Sequence, residues 1–228
     1  MRTGRAVLMV LVAAVALAGC GSSAKSNGEA SKPPRQVLAD ARAAAADASA
    51  VHVHGTVVSG GTPVGVDLHL DRGKGGKGTV TQSGFEIDLI RIGRTVYLRG
   101  SDTFYERTLG EAAAARLRGK WLRGSTASGK LSALVPLTDI DKLVRASTSN
   151  TDTLRNRGET TYQGRPVVAI EDAAEKSTLY VAARGKPYVV AIVGNGSGDS
   201  GALHFDDWDD AVHLDAPSDA LSLSELGG

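Results

Sequence analysis

One cysteine, Cys20, is present in 228 residues. Without a second thiol no disulfide can form within the chain. Stability must therefore come from an apolar core, and the roughly 210 residues beyond Cys20 are enough to bury one. Aromatic residues are scarce: three Phe, five Tyr and two Trp make up 4% of the chain. Valine and alanine dominate the apolar set, so little bulk is available to fill a large curved interior. A dominant charge is missing too, since 26 basic residues face 25 acidic ones for a formal net charge of +1. That balance excludes the basic footprint that nucleic-acid binding requires, and it excludes a polybasic membrane patch. The chain contains no Gly-x-Ser-x-Gly elbow, no phosphate loop and no His-Glu-x-x-His. These absences point away from an enzyme: no catalytic residue and no cofactor is expected.

What is present begins at the N-terminus. Arg2 and Arg5 precede the apolar run Ala6 to Ala18, which ends in Leu17-Ala18-Gly19-Cys20. The run is shorter than the ~20 residues of a membrane span. A positive start, a short apolar core and small residues at the cut site form a secretory signal over residues 1–19. A cysteine after Leu-Ala-Gly resembles the lipobox of bacterial lipoproteins. That resemblance implies cleavage before Cys20 and a diacylglycerol on its sulfur. Loss of Arg2 and Arg5 takes the formal net charge from +1 to −1. The implied location is extracytoplasmic, lipid-anchored to the outer face of the cytoplasmic membrane. Residues 20–34, rich in Ser, Gly, Lys and Pro, read as a flexible tether. A single domain follows over 35–228.

The domain opens with RQVLADARAAAADAS, where Val37, Leu38, Ala41, Ala45 and Ala48 share a helical face. The period then changes to two. Val64, Val66, Leu68 and Leu70 alternate with polar partners, as do Phe85, Ile87 and Leu89, and Val96 and Leu98. RGKGGKG between two of these strands reads as a turn. LGEAAAARLRGKWL and GKLSALVPLTDIDKLVRAST read as helices, the second restarted after Pro136. Strands return in TTYQGRPVVAIED, STLYVAA, YVVAIVGN, GALHFDD and AVHLDAP, with the doubly apolar YVVAIV placed inside the sheet. SNTDTLRNRGET, before them, reads as a solvated loop. Helix, strands, helices, strands argues for an α+β fold: a curled antiparallel sheet, or half-barrel, with helices packed over its concave face.

ASAVHVHGTV, GKGTVTQSGFEIDLIRIGRTVYLRG, GKWL, TYQGRPVVAIED, LYVAARGKPYVVAI and FDDWDDAVHLDAP, taken with the lipobox, resemble the LppX/LprAFG family of actinobacterial lipoproteins. The resemblance implies a half-barrel like that of the LolA and LolB lipoprotein carriers. It also implies a hydrophobic cavity for acyl lipids or glycolipids, carriage of lipid through the envelope, and an envelope transporter as partner to a monomer. A lipid site must be apolar, roomy and shielded from water. Its candidate walls are Val66, Leu68, Phe85, Ile87, Leu89, Val96 and Leu98, then Val168, Ile170, Leu179, Val181, Val190, Ile192, Leu203, Phe205 and Leu214. Leu134, Leu137, Ile140 and Leu143 form the lid. A filled core needs the same residue types. The alternative function is a non-carrier scaffold or signalling module built on the same curved sheet.

His52, His54, His69, His204 and His213 all fall on expected strands. His52 and His54 share a face, but no third ligand lies at metal-site spacing, so no metal site is expected and the face reads as merely polar. HFDDWDDAVHLDAP, residues 204–217, gathers four aspartates around Trp208. A calcium loop beginning at Asp206 would place Ala211 sixth and Pro217 twelfth, where glycine and glutamate are required. The segment reads instead as a bend, with Trp208 packed under the sheet edge.

Overall fold

The computed structural model describes residues 25–127, 129–147, 153–196 and 200–226. The signal expected over 1–19, Cys20 and the first part of the tether lie outside these residues. Helix α1 (Pro34–Asp47) starts on Pro33-Pro34, where a missing amide proton costs nothing. Val37, Leu38, Ala41 and Ala45 form its buried stripe. Their small size lets the helix lie close on its neighbours. The first run of strands follows: β1 (Ala50–Ser59), β2 (Thr62–Asp71), β3 (Gly75–Gln82), β4 (Phe85–Ile92) and β5 (Thr95–Gly100). Helices α2 (Asp102–Leu109) and α3 (Glu111–Leu117) precede β6 (Leu122–Ser125). Two 3-10 turns, Gly129–Leu134 and Pro136–Thr138, lead to α4 (Ile140–Ser147). The chain closes with β7 (Leu154–Tyr162), β8 (Arg165–Asp172), β9 (Ser177–Ala182), β10 (Val189–Asn195), β11 (Ser200–Asp206) and β12 (Leu221–Ser222).

All twelve strands join one sheet in the order β12-β6-β5-β4-β3-β2-β1-β11-β10-β9-β8-β7. Neighbours are antiparallel except β12 and β6. The sheet is curled into an open half-barrel, and α1 and α4 pack on its inner face. Glycines at two inner positions permit the bend. Gly55 and Gly78 have φ of +141° and +153°, and a Cβ there would lie 2.1 Å from Ala202 O and 1.9 Å from Asp67 O. Strands approach too closely at these points for any side chain.

One buried cluster joins Val37, Ala41 and Ala45 of α1, Ile140 and Val144 of α4, and Val51, Val53, Leu68, Leu70, Val168, Ile170, Val181, Val189 and Phe205 of the sheet. Phe205 is its one buried aromatic ring. A second, smaller cluster holds Tyr105, Ala114, Leu117 and Leu122 under α2 and α3.

Several expectations change. RGKGGKG is a turn only to Lys74, because Gly75 to Gly78 are paired in β3 with β2 and β4. A Cβ on Gly76 would stand 2.6 Å from Leu70 Cδ2, so glycine here makes room rather than a turn. The described part of SNTDTLRNRGET is strand β7, an edge strand whose polarity is that of its exposed face. The helix expected through Leu122 stops at Leu117, and α2, which was not expected, precedes it, capped by Ser101 Oγ on Phe104 N. AVHLDAP is not a strand: residues 207–220 cross irregularly from β11 to β12. Nor is the tether free up to Pro34. Ser26 bridges to Arg184, Asn27 N donates to Ala183 O, and Glu29 is 2% exposed.

Candidate functional site

The hairpin registers set two apolar rows across the concave face. The first runs Val168, Val181, Val189, then Phe205, Val53, Leu68, Gly78, Leu89 and Leu98. Its side chains are buried except at Leu98. The second lies one step nearer the β1–β2 and β3–β4 turns. It runs Ile170, Leu179, Ile192, Leu203, Gly55, Val66, Val80, Ile87 and Gly100. From Leu179 to Ile87 every member is only partly buried. The concave wall is thus sealed along one row and accessible along the next.

Two arginines fix the lid above this wall. Arg72, in the β2–β3 turn, donates to the carbonyls of Ala45 and Ala48 at the end of α1 and lies 3.0 Å from Asp141 in α4. Arg91, on the inner face of β4, donates to Thr138 Oγ1 at 2.6 Å and to Thr138 O. Thr138 is 1% exposed. Leu134, Leu137 and Leu143 keep partial exposure under this frame, whereas Ile140 is buried.

The residues expected to line an interior therefore divide. Leu68, Ile140, Val168, Ile170, Val181 and Phe205 are buried together, and Leu89 and Val96 are buried farther along β4 and β5. Val66, Ile87, Leu98, Leu134, Leu137, Leu143, Leu179, Ile192 and Leu203 are the partly accessible set. Three expectations are corrected. Phe85 packs edge-on against Phe104 at 6.0 Å and beneath Arg107, so it serves α2 rather than the lid. Val190 is the extra residue of a bulge, and Val189 takes the core position opposite Val181. Leu214 sits in the irregular crossing segment and joins neither buried cluster. Residues not named among the candidate walls, above all Val51, Val53, Leu70 and Val144, complete the core. The alternation of Val51 and Val53 with His52 was the signal for the first two.

The convex face carries a stack of imidazoles. His69 and His52 are cross-strand partners with rings 4.0 Å apart and 4° from parallel. His54 lies 4.8 Å beyond His52, and His204 5.1 Å beyond His54. Asp67 Oδ1 meets His52 Nε2 at 2.8 Å, and Asp206 Oδ2 meets His54 Nε2 at 3.0 Å. Burial, then the neighbouring His52, holds His69 below the ordinary imidazole range, and burial with His54 does the same to His204. Burial pushes the Asp206 carboxyl up, but hydrogen bonds from His54 and Arg165 outweigh it and hold it low. His213 lies apart from this stack, 3.0 Å from Asp215.

Two of the four aspartates around Trp208 shape the bend. Asp207 and Asp209 take left-handed φ of 49° and 68°, which makes the bend. Asp209 accepts from Ser49 N at 2.8 Å, Tyr188 Oη at 2.6 Å and Lys186 Nζ at 2.9 Å. Trp208 packs against the main cluster, stacks on Tyr188 at 4.4 Å and donates to Val189 O. Among the described residues, no helix is long and apolar enough to cross a membrane.

The fold is an α+β half-barrel with helices on its concave face, and LprF shares that class. LprF from Mycobacterium bovis aligns with a TM-score of 0.52 and 15% identity, over 81% of this chain and 96% of LprF. The Mycobacterium tuberculosis lipoprotein LppX aligns with a TM-score of 0.48 and 16% identity, over 79% of this chain and 99% of LppX. MucB in the Pseudomonas aeruginosa MucA/MucB complex aligns with a TM-score of 0.34 and 14% identity, over 85% of this chain and 60% of that one. No family model and no curated protein sequence matches. At 15% identity the likeness to LprF establishes the shared fold.

Proposed function

We propose that this chain is a lipoprotein, anchored through a diacylglycerol on Cys20, that holds acyl lipid or glycolipid between the concave sheet and its lid and passes it on within the cell envelope. The observation that carries the reading is the partly accessible apolar row from Leu179 to Ile87, most of which packs against the same buried cluster as Leu137 and Leu143 of the lid. A folded core leaves such a row accessible only at a cost, and each acyl methylene withdrawn from water there contributes about 0.8 kcal/mol. The glycine at Gly55, midway along the row, leaves the wall without a side chain there. The fold shared with LprF suits the same task. Anchoring at the outer face of the cytoplasmic membrane, a transporter partner and a monomeric state belong to the same reading.

The test uses the chain from Gly21 onward, purified and analysed by native mass spectrometry with lipid extraction. One bound acyl lipid per chain is expected. Ile192→Trp or Val66→Trp, both at partly open positions, should displace it while the fold persists. A folded protein that arrives without lipid and takes none up from vesicles sinks the proposal.

A further inference from the structure

Three ligand-bearing side chains converge on the outer face where β1 meets β2. His52 and His69 stand opposite each other, and Asp67 lies two residues before His69 on the same face. Asp67 Oδ1 is 2.8 Å from His52 Nε2 and 3.9 Å from His69 Nε2. One ligand atom from each of the three lies within 4.8 Å of the others. Beneath them Val51, Val53, Leu68 and Leu70 are buried, so packed strands hold the trio in place.

We propose that His52, Asp67 and His69 bind one divalent transition-metal ion of the zinc class. Two imidazole nitrogens and one carboxylate oxygen suit zinc, nickel or copper, whereas calcium and magnesium demand oxygen ligands. Both Nε2 atoms lie beside one carboxylate, and the two rings turn out of their parallel stack to aim both lone pairs at one ion. Asp67 accepts from His52 Nε2–H in the metal-free protein. Metal binding moves that proton to Nδ1, and Asp207 Oδ2, 3.8 Å from His52 Nδ1, favours that tautomer. Three protein ligands leave a fourth position open. His52 and His69 line a cleft of about 390 Å³ that Asp210 and His213 also line. Lys77, across from His69 on β3, opposes the ion, and Asp67 and Asp207 offset it.

The full-length chain in detergent, stripped by chelator, is titrated with Zn²⁺ by calorimetry, and native mass spectrometry counts the ions. One zinc per chain with Kd of about 10 μM or tighter is expected, with no response to Ca²⁺. His69→Ala and Asp67→Asn should each weaken binding by at least about tenfold. His204→Ala, farther along the stack, should leave it unchanged. Asp67 is largely exposed, so Asp67→Asn reports on the site even if His69→Ala fails to fold. Zinc binding no tighter than about 1 mM, or binding that survives Asp67→Asn and any folded His69→Ala at wild-type strength, overturns the assignment.

Discussion

The guanidinium of Arg91, on the concave face of β4, reaches the lid and donates to both the hydroxyl and the carbonyl of Thr138. Thr138 Oγ1 also donates back to the carbonyls of Leu134 and Val135, both at 3.2 Å. One charged side chain therefore closes the turn that launches α4. Arg91→Ala strands the buried Thr138 carbonyl without its donor. A loss of about 2 kcal/mol is expected, read from the denaturant midpoint. Amide exchange should quicken in α4 more than in β1 and β2. Equal quickening throughout would mean that Arg91 supports the sheet rather than the lid.

Much of this frame was legible in the sequence because period two and period 3.6 report directly on one-sided burial. Leu68, Ile87 and Leu203 face inward for that reason, as do Val37 and Ala41. Three kinds of information were hidden. Glycine reads as a turn, yet Gly75, Gly76 and Gly78 are strand residues that make room for Leu70 and for neighbouring backbone. β7 reads as a loop because an edge strand leaves its polar face in water. The convex trio was invisible because spacing along the chain cannot show partners across a hairpin. The turn at Gly60-Gly61 is the missing signal, since a hairpin centred there sets His52 opposite His69. The lining of the concave face was legible as composition but not as depth. Only the register separates the sealed row of Leu68 from the accessible row of Val66.

Gly78 makes the claim about close approach testable. Gly78→Ala places a methyl group 1.9 Å from Asp67 O, against the backbone of Asp67 and Leu68. It should cost more than about 3 kcal/mol, since neither strand can retreat without breaking its ladder. Gly84→Ala is the control. Gly84 also has positive φ, +79°, but nothing lies within 4 Å of its added Cβ. Its cost should be only the ~1–2 kcal/mol of left-handed backbone. Thermal melts of the two variants decide the matter: similar losses would mean that strain rather than contact sets the requirement.

Asn156 anchors the segment before α1. Its amide nitrogen donates to Lys32 O at 2.8 Å and to Glu29 O and Ala30 O at 3.3 Å, while its oxygen accepts from Gly158 N at 2.8 Å. Asn156→Asp keeps the acceptor for Gly158 but loses the donor and sets a charge against three carbonyls. Amide exchange at Asn27 and Lys32 should accelerate in both Asn156→Ala and Asn156→Asp, and more in the aspartate. Unchanged protection in both would show that the contacts of Ser26 and Asn27 with residues 182–185 dock the segment without Asn156.

Asp209 ties the closing bend to two distant parts of the chain, and its titration sets the acid limit of that tie. Hydrogen bonds from Tyr188, then Lys186 and the Ser49 amide, hold its carboxyl well below the usual carboxylate range. Hydrogen bonds to Tyr188 and then to Asp209 raise Lys186 above the usual lysine range. A carboxyl that is more acidic folded than unfolded adds stability at any pH above its unfolded value of about 4. That contribution is lost as pH falls from there towards the folded value. Unfolding free energy should therefore decline as pH is lowered from about 5 to 2. Asp209→Asn removes this titration and should flatten the decline, while lowering stability near pH 7 through loss of the charged contacts. The side chain is 37% exposed, so salt should also weaken the wild-type effect. Denaturation curves of both proteins across that pH range provide the check. Parallel pH profiles would place the acid sensitivity elsewhere, with Asp206 the next carboxylate to replace, since it too is held low by its partners.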